Sequence, residues 1–247
     1  MKNNFIIYGL LILYLITDTF LLIPAGLSYY NFINPLIWGA IFGISYYISQ
    51  DSNLRIKGER DKTQSLIIAM IIYIIIYFLS GLVFGFERTP YSKSLINIIK
   101  NIWFFGSIVV FQEIIREDLV KNNKKSVLNY VCITIVFALL DINISNITSQ
   151  FTDVQTGFIY ISTTIIPALV STAIMTYLVR ISGYKSSIIY RLFILLPPFI
   201  VPIIPSYDWF ATAIFGITVP LGVYVYLNYV HINKSIKYCL VSLRIFP

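Results

Sequence analysis

What most constrains this chain is the recurrence of apolar runs near the length of a membrane crossing, separated by short polar stretches. A bilayer's hydrocarbon core is about 30 Å thick, which roughly 20 helical residues span. Eight such runs can be drawn, at 5–22, 32–48, 66–84, 96–115, 127–142, 158–179, 188–204 and 209–230. The second and fifth are short and are expected to be little tilted or partly re-entrant. With 57% hydrophobic and 12% charged residues, a single soluble core could not hide the apolar surface. The runs are apolar throughout and do not alternate as barrel strands do. The expected fold is therefore all-α, a polytopic helical membrane protein, with residues 1–247 forming one membrane domain.

The basic residues set the orientation. They gather after the second run (Arg55, Lys57, Arg60, Lys62), the fourth (Arg116, Lys121, Lys124, Lys125), the sixth (Arg180, Lys185) and the eighth (Lys234, Lys237, Arg244). Of the alternate loops, only the one after the third run has any, Arg88 and Lys93. The positive-inside rule makes the basic side cytoplasmic, so both termini are expected inside, in the cell membrane. It also accounts for the net charge of +7. Nucleic acid is not an expected partner, because the basic residues are scattered over short loops. The N-terminal run lacks a small-x-small cleavage site and outlasts a signal peptide, so it reads as an uncleaved first span. Cys132 and Cys239 provide neither a disulfide framework nor a metal spacing, and no cofactor is expected. Asn143 and Asn146 in N-x-S/T tripeptides read as turn-forming polar residues.

The seventh run, "IIYRLFILLPPFIVPIIPSYDWF" with its continuation to residue 210, holds Pro197, Pro198, Pro202 and Pro205. Positions 195, 198, 202 and 205 share one helical face, and each proline frees a carbonyl about four residues earlier. Two half-helices joined near Pro197–Pro198 are expected. Broken helices at membrane depth are tolerated where protein covers them or a wet cavity adjoins them. The prolines therefore mark either a groove at the break or a kinked packing helix whose neighbours satisfy the freed carbonyls.

"FQEIIREDLV" at 111–120 is the second candidate. Glu113 and Arg116 stand three apart on one face, with Gln112 four from Arg116. Intramembrane charges suggest function, but at the cytoplasmic boundary such a pair is inexpensive, and a structural ion pair that includes Arg191 is the safer reading. CAAX-type intramembrane proteases carry two adjacent glutamates, then an arginine four positions after the second, and histidines on later helices. Here Gln112 replaces the first glutamate, the arginine comes one position early, and His231, at the end of the last run, is the only histidine. Asp18, Asp141 and Asp208 fall near outer ends of runs and read as interfacial caps; no Gly-x-Gly-Asp partner makes an aspartyl dyad. Serine–histidine catalysis, a phosphate loop and the paired broken helices of transporters have no sequence support.

Two stretches, "GFERTPYSKSLINIIKNIWFFGSIVVFQEIIRE" and "GYKSSIIYRLFILLPPFIVPIIPSYDWF", resemble the multi-span region that precedes the catalytic domain in some large prokaryotic type I signal peptidases. The second carries more of the likeness, through Gly183-Tyr184-Lys185, Tyr190-Arg191-Leu192, the proline series and the Asp208 turn. The likeness extends over most of residues 66–230. In such enzymes a serine on a later, mainly β domain attacks the scissile carbonyl with a lysine as base. This sequence has no Ser-x-Met-type stretch and no later lysine-bearing strand, and "CLVSLRIFP" stands where that domain would begin. The resemblance thus implies a membrane part that is catalytically silent. The expected function is a non-catalytic module of secretion or signal-peptide processing with an intramembrane groove. Its expected partners are the bilayer and a membrane protein, such as a peptidase or secretion component. The alternatives are a divergent intramembrane protease using Glu113 and Arg116, and a small-solute transporter.

Overall fold

The computed structural model describes residues 2–22, 30–49, 60–122, 126–142, 144 and 147–244, with backbone alone at 2, 3, 21, 22, 30, 31, 60, 61, 148, 149 and 231–244. Arg55, Lys57, Lys124, Lys125, Asn143 and Asn146 lie outside the described residues. So do the side chains of Arg60, His231, Lys234, Lys237, Cys239 and Arg244.

The chain is helical almost throughout. Helices α1 (Lys2–Thr17), α2 (Tyr30–Ser49) and α3 (Arg60–Phe84) come first, followed by a short strand β1 (Phe86–Arg88). Then α4 (Leu95–Asn101) runs through a π-helical turn into α5 (Ser107–Lys121), and α6 (Val127–Asp141) follows. After a one-turn α7 (Ile147–Gln150), α8 (Val154–Tyr160) continues through another π-helical turn into α9 (Ile166–Ser182). The rest is α10 (Tyr184–Leu195), α11 (Pro197–Ile200), β2 (Ile203–Pro205) and α12 (Trp209–Arg244). Among the described residues, five helical stretches are long and apolar enough to cross a membrane: Phe32–Ser49, Lys62–Phe84, Leu95–Lys121, Val154–Ser182 and Trp209–Val230. Asn4–Phe20 and Val127–Asp141 are shorter apolar helices.

The helix starts follow from side-chain caps. Ser94, Ser126, Asp153 and Asp208 each accept a backbone N–H from the first turn that follows them. The corner between α9 and α10 is Gly183, at φ 82° and ψ 176°, a conformation essentially reserved for glycine. A second tight turn, at Gly85 with φ 90°, delivers the chain from α3 into β1.

Helix α9 is the hub, packed against α5, α6, α10 and α12. On one side of it lies a core from α1, α2, α5 and α6, with Ile7, Leu11, Trp38, Ile115, Leu119, Ile133 and Phe137. On the other lies a core from α3, α10 and α12, with Leu66, Met70, Tyr190, Val223 and Leu227 around Met175 and Leu178 of α9. Gly216 of α12 faces Pro167 of α9 so closely that a Cβ there would lie 2.9 Å from the proline ring. Small residues permit this approach where apolar burial drives little association within lipid. Outward, Phe5, Ile12, Leu13, Ile75, Leu79 and Val225 are exposed, an apolar girdle that suits lipid.

The seventh run becomes a 12-residue helix, about 18 Å long, a single turn of helix and then a strand. Pro197 and Pro198 begin the short helix, as helix starts tolerate proline. Beyond it, β2 pairs antiparallel with β1, Glu87 opposite Ile204.

Candidate functional site

The face of α5 that meets α9 and α10 carries Gln112, Glu113 and Arg116, all three buried, the last two with no exposure. Arg116 Nη2 donates to Glu113 Oε1 at 3.2 Å, and its Nε lies 3.0 Å from Oε2 without hydrogen-bond alignment. Its Nη1 donates to the Thr172 carbonyl at 3.0 Å and to Thr176 Oγ1 at 3.1 Å, tying α5 to α9. The guanidinium lies 4.1 Å from the centroid of the Phe137 ring on α6.

Arg191 of α10 completes the cluster. Its Nη1 donates to Gln112 Oε1 at 2.5 Å and Glu113 Oε1 at 3.2 Å, and its Nη2 is paired with Asp141 Oδ1 at the end of α6. Ser187, one turn before Arg191, donates to Glu113 Oε2 at 2.5 Å. Two carboxylates and two guanidiniums thus balance in charge across α5, α6, α9 and α10, with both oxygens of Glu113 engaged. Buried charges persist when each is paired and hydrogen-bonded in this way.

No known protein family, curated protein or solved structure matches the chain.

Glu113, Arg116 and Arg191 therefore meet in space, while Asp141 departs from its expected place. The sequence reading makes Asp141 an interfacial cap; in the structure its carboxylate instead closes the cluster through Arg191. Although the residue as a whole is exposed, its side chain is only 21% so. Asp208 accepts the Ala211 N–H at 2.8 Å and caps α12. Asp18 lines a separate cavity of ≈330 Å³ together with Asp141 and Tyr14.

The proline stretch lies apart from this cluster. Pro202 has no N–H for the Pro198 carbonyl, which instead accepts from Thr89 Oγ1 at 2.7 Å and from Lys93 Nζ at 2.6 Å. The ring of Phe199 packs against Tyr91 and Phe105. Pro205 is buried in the β1–β2 ladder. Lys93 feels its surroundings, since desolvation lowers its pKa.

A cavity of ≈270 Å³ lies beside the charge cluster, between α3, α9, α10 and α12. Asp141, Tyr73, Tyr77, Tyr190 and Tyr207 are among the residues that line it, as are Pro167 and Pro220, the isolated prolines of the sixth and eighth runs. Sequence reasoning missed this site, since tyrosines scattered over two helices and a loop form no linear motif. It also missed an asparagine clasp at the other end of α5. There Asn4 and Asn129 both donate to the Leu119 carbonyl, at 3.3 and 3.1 Å, and Asn122 donates to Asn4 at 2.7 Å. Among the described residues, no three His, Cys, Asp or Glu side chains could hold a metal ion.

Proposed function

We propose that the chain is a non-catalytic integral membrane module associated with protein secretion or signal-peptide processing, crossing the bilayer eight times with both termini cytoplasmic. It offers an intramembrane groove to a partner or a substrate segment. The observation that carries the non-catalytic reading is the saturation of Glu113. Arg116, Arg191 and Ser187 occupy its oxygens, and the side chain has no exposure. A general base must reach the proton that it takes, and a carboxylate so enclosed has no oxygen for a water molecule. The charge cluster acts as a clasp that holds α5, α6, α9 and α10 in register.

The secretion reading draws support from the two stretches that resemble signal-peptidase membrane regions. They touch along their length: β1 pairs with β2, Thr89 and Lys93 hold Pro198, and Arg191 holds Gln112 and Glu113. As the groove we assign the tyrosine-lined cavity between α3, α9 and α12, since the Pro198 carbonyl, freed by Pro202, is already bonded.

One observation favours a second reading, a divergent intramembrane hydrolase. Asp141 borders the cavity and has one oxygen bonded by Arg191. A shift of Arg191 would remove one donor from Glu113 Oε1 and leave the carboxylate held by Arg116 and Ser187.

Glu113→Gln separates the two readings, because the amide keeps the shape of the carboxylate and loses its charge. For the module, membrane abundance and melting temperature fall, and the purified wild-type chain cleaves no lipoprotein or prenyl-peptide substrate. Turnover by the wild type that vanishes in a fully folded Glu113→Gln variant would replace the module with the hydrolase.

A further inference from the structure

The cavity beside Asp141 does not end at its own walls. It shares Tyr73, Phe215 and Val219 with a second, apolar cavity of ≈320 Å³ between α3 and α12, lined also by Ile72, Ile76 and Val223. The two spaces differ in chemistry. Aromatic rings line both, with Tyr226 and the Thr218 hydroxyl in the second, but only the first has a carboxylate on its wall.

Two polar groups in the first space are underused. Asp141 gives Oδ1 to Arg191, which is shared in turn with Gln112 and Glu113. No bond is made by its Oδ2 among the described residues, and the side chain keeps some accessibility. The hydroxyl of Tyr190 is fully buried and makes no hydrogen bond of good geometry among the described residues, with Ser171 on the same wall as its polar neighbour. A buried hydroxyl left in this state costs about 1–3 kcal/mol, so an unbonded one marks a position a ligand could satisfy.

The rings specify the charge of that ligand. Tyr73, Tyr77, Tyr207 and Phe215 form a connected aromatic wall, with Tyr207 stacked on Phe215 at 4.8 Å and edge-on to Tyr77 at 6.0 Å. Aromatic faces and a carboxylate both attract a cation. An anionic head would meet the same groups unfavourably, since no Lys or Arg lines either cavity among the described residues.

We propose that these joined cavities bind one amphiphile: an alkylammonium whose charged head lies between Asp141 and the tyrosines and whose chain occupies the α3–α12 groove. The proposal rests on the reading of this cavity as the groove of the module, and it names what enters. Asp141 and the ring faces hold the ammonium, and the Tyr190 hydroxyl adds a polar contact. Ile72, Ile76 and Val223 take the chain.

The test uses the full chain in a nonionic maltoside, titrated with dodecylammonium, dodecanol or ethylammonium and followed by intrinsic fluorescence and thermal unfolding. The expected result is saturable binding of dodecylammonium, about tenfold or more tighter than either the uncharged chain or the short amine. Tyr190→Phe removes a hydroxyl that makes no hydrogen bond of good geometry, so the fold should hold and affinity should fall about fivefold. Val219→Trp, which fills the junction, should abolish the advantage of the long chain. Asp141→Asn should abolish the preference for ammonium over alcohol; the other two variants keep the test decisive if it folds poorly. Equal binding of dodecanol and dodecylammonium, non-saturable partitioning, or full affinity in both Tyr190→Phe and Val219→Trp would overturn the proposal. None of these outcomes bears on the turnover assay of Glu113→Gln, so the module reading stands or falls separately.

Discussion

Removing Glu113 should harm the protein more than removing Glu113 and Arg116 together. The cluster holds two negative and two positive charges, on Glu113, Asp141, Arg116 and Arg191. Glu113→Leu leaves two guanidiniums facing one carboxylate, with Arg116 wholly buried. Breaking a buried pair from one side costs about 3–5 kcal/mol, because the remaining charge is stranded. Arg116→Met also unbalances the site, but Glu113 keeps Arg191 and Ser187, so the loss should be smaller, about 2–3 kcal/mol. In the double variant Asp141 and Arg191 still balance, and an apolar pair replaces the ionic one. Such replacements are often neutral, so stability should recover to within about 2 kcal/mol of the wild type. The coupling energy of the cycle is then large, whereas independent sites add. The assay is thermal unfolding of the purified chain in one detergent. Glu113→Leu should melt about 10 °C lower, taking the shift expected for a domain of this size. If the double variant melts below both singles, the charges are not stranded by single removal, and the clasp argument fails.

Two other perturbations examine the frame around the site. Gly183→Ala forces a side chain into a conformation reserved for glycine and should cost about 1–3 kcal/mol. Because Gly183 sets the angle between α9 and α10, the amide of Ser187 should also exchange faster with deuterium; unchanged exchange and melting would contradict this. At the proline turn, Thr89→Val should be mild while Lys93 remains on the Pro198 carbonyl, about 0.5–1 kcal/mol. Thr89→Val with Lys93→Met leaves that carbonyl unbonded and should cost more than the sum of the two singles, read from a melting-temperature cycle. Additive losses would show that the two donors act independently.

The apolar character of the runs, Asp208 as a cap and the spacing of Glu113 and Arg116 were legible in linear order, although only five of the described helical stretches are long enough to cross a membrane. Each is a local matter: a helix forms where its residues and caps favour it, and residues three apart share a face whatever surrounds them. For that reason the boundaries of α6 and the C-terminal end of α9 lie within a few residues of the apolar runs, and Asp208 stands at the start of α12. Proline in the seventh run likewise limits helix wherever it occurs, and α10 stops at Leu195.

Which helix faces meet was decided only by the tertiary structure. Asp141 and Arg191 lie fifty positions apart, and nothing near either residue announces the other. Asn4 reaches Asn129 and Leu119 across more than a hundred positions. The β1–β2 ladder joins the loop after the third run to the end of the seventh, where the sequence leads one to expect a half-helix. In lipid the apolar surfaces are nearly interchangeable, so hydropathy identifies a crossing without naming its neighbour. The choice falls instead to close approach, as of Gly216 to Pro167, and to the few buried polar groups that must each find a partner. Those requirements bind residues that are distant in sequence, and only the assembled helices bring them together.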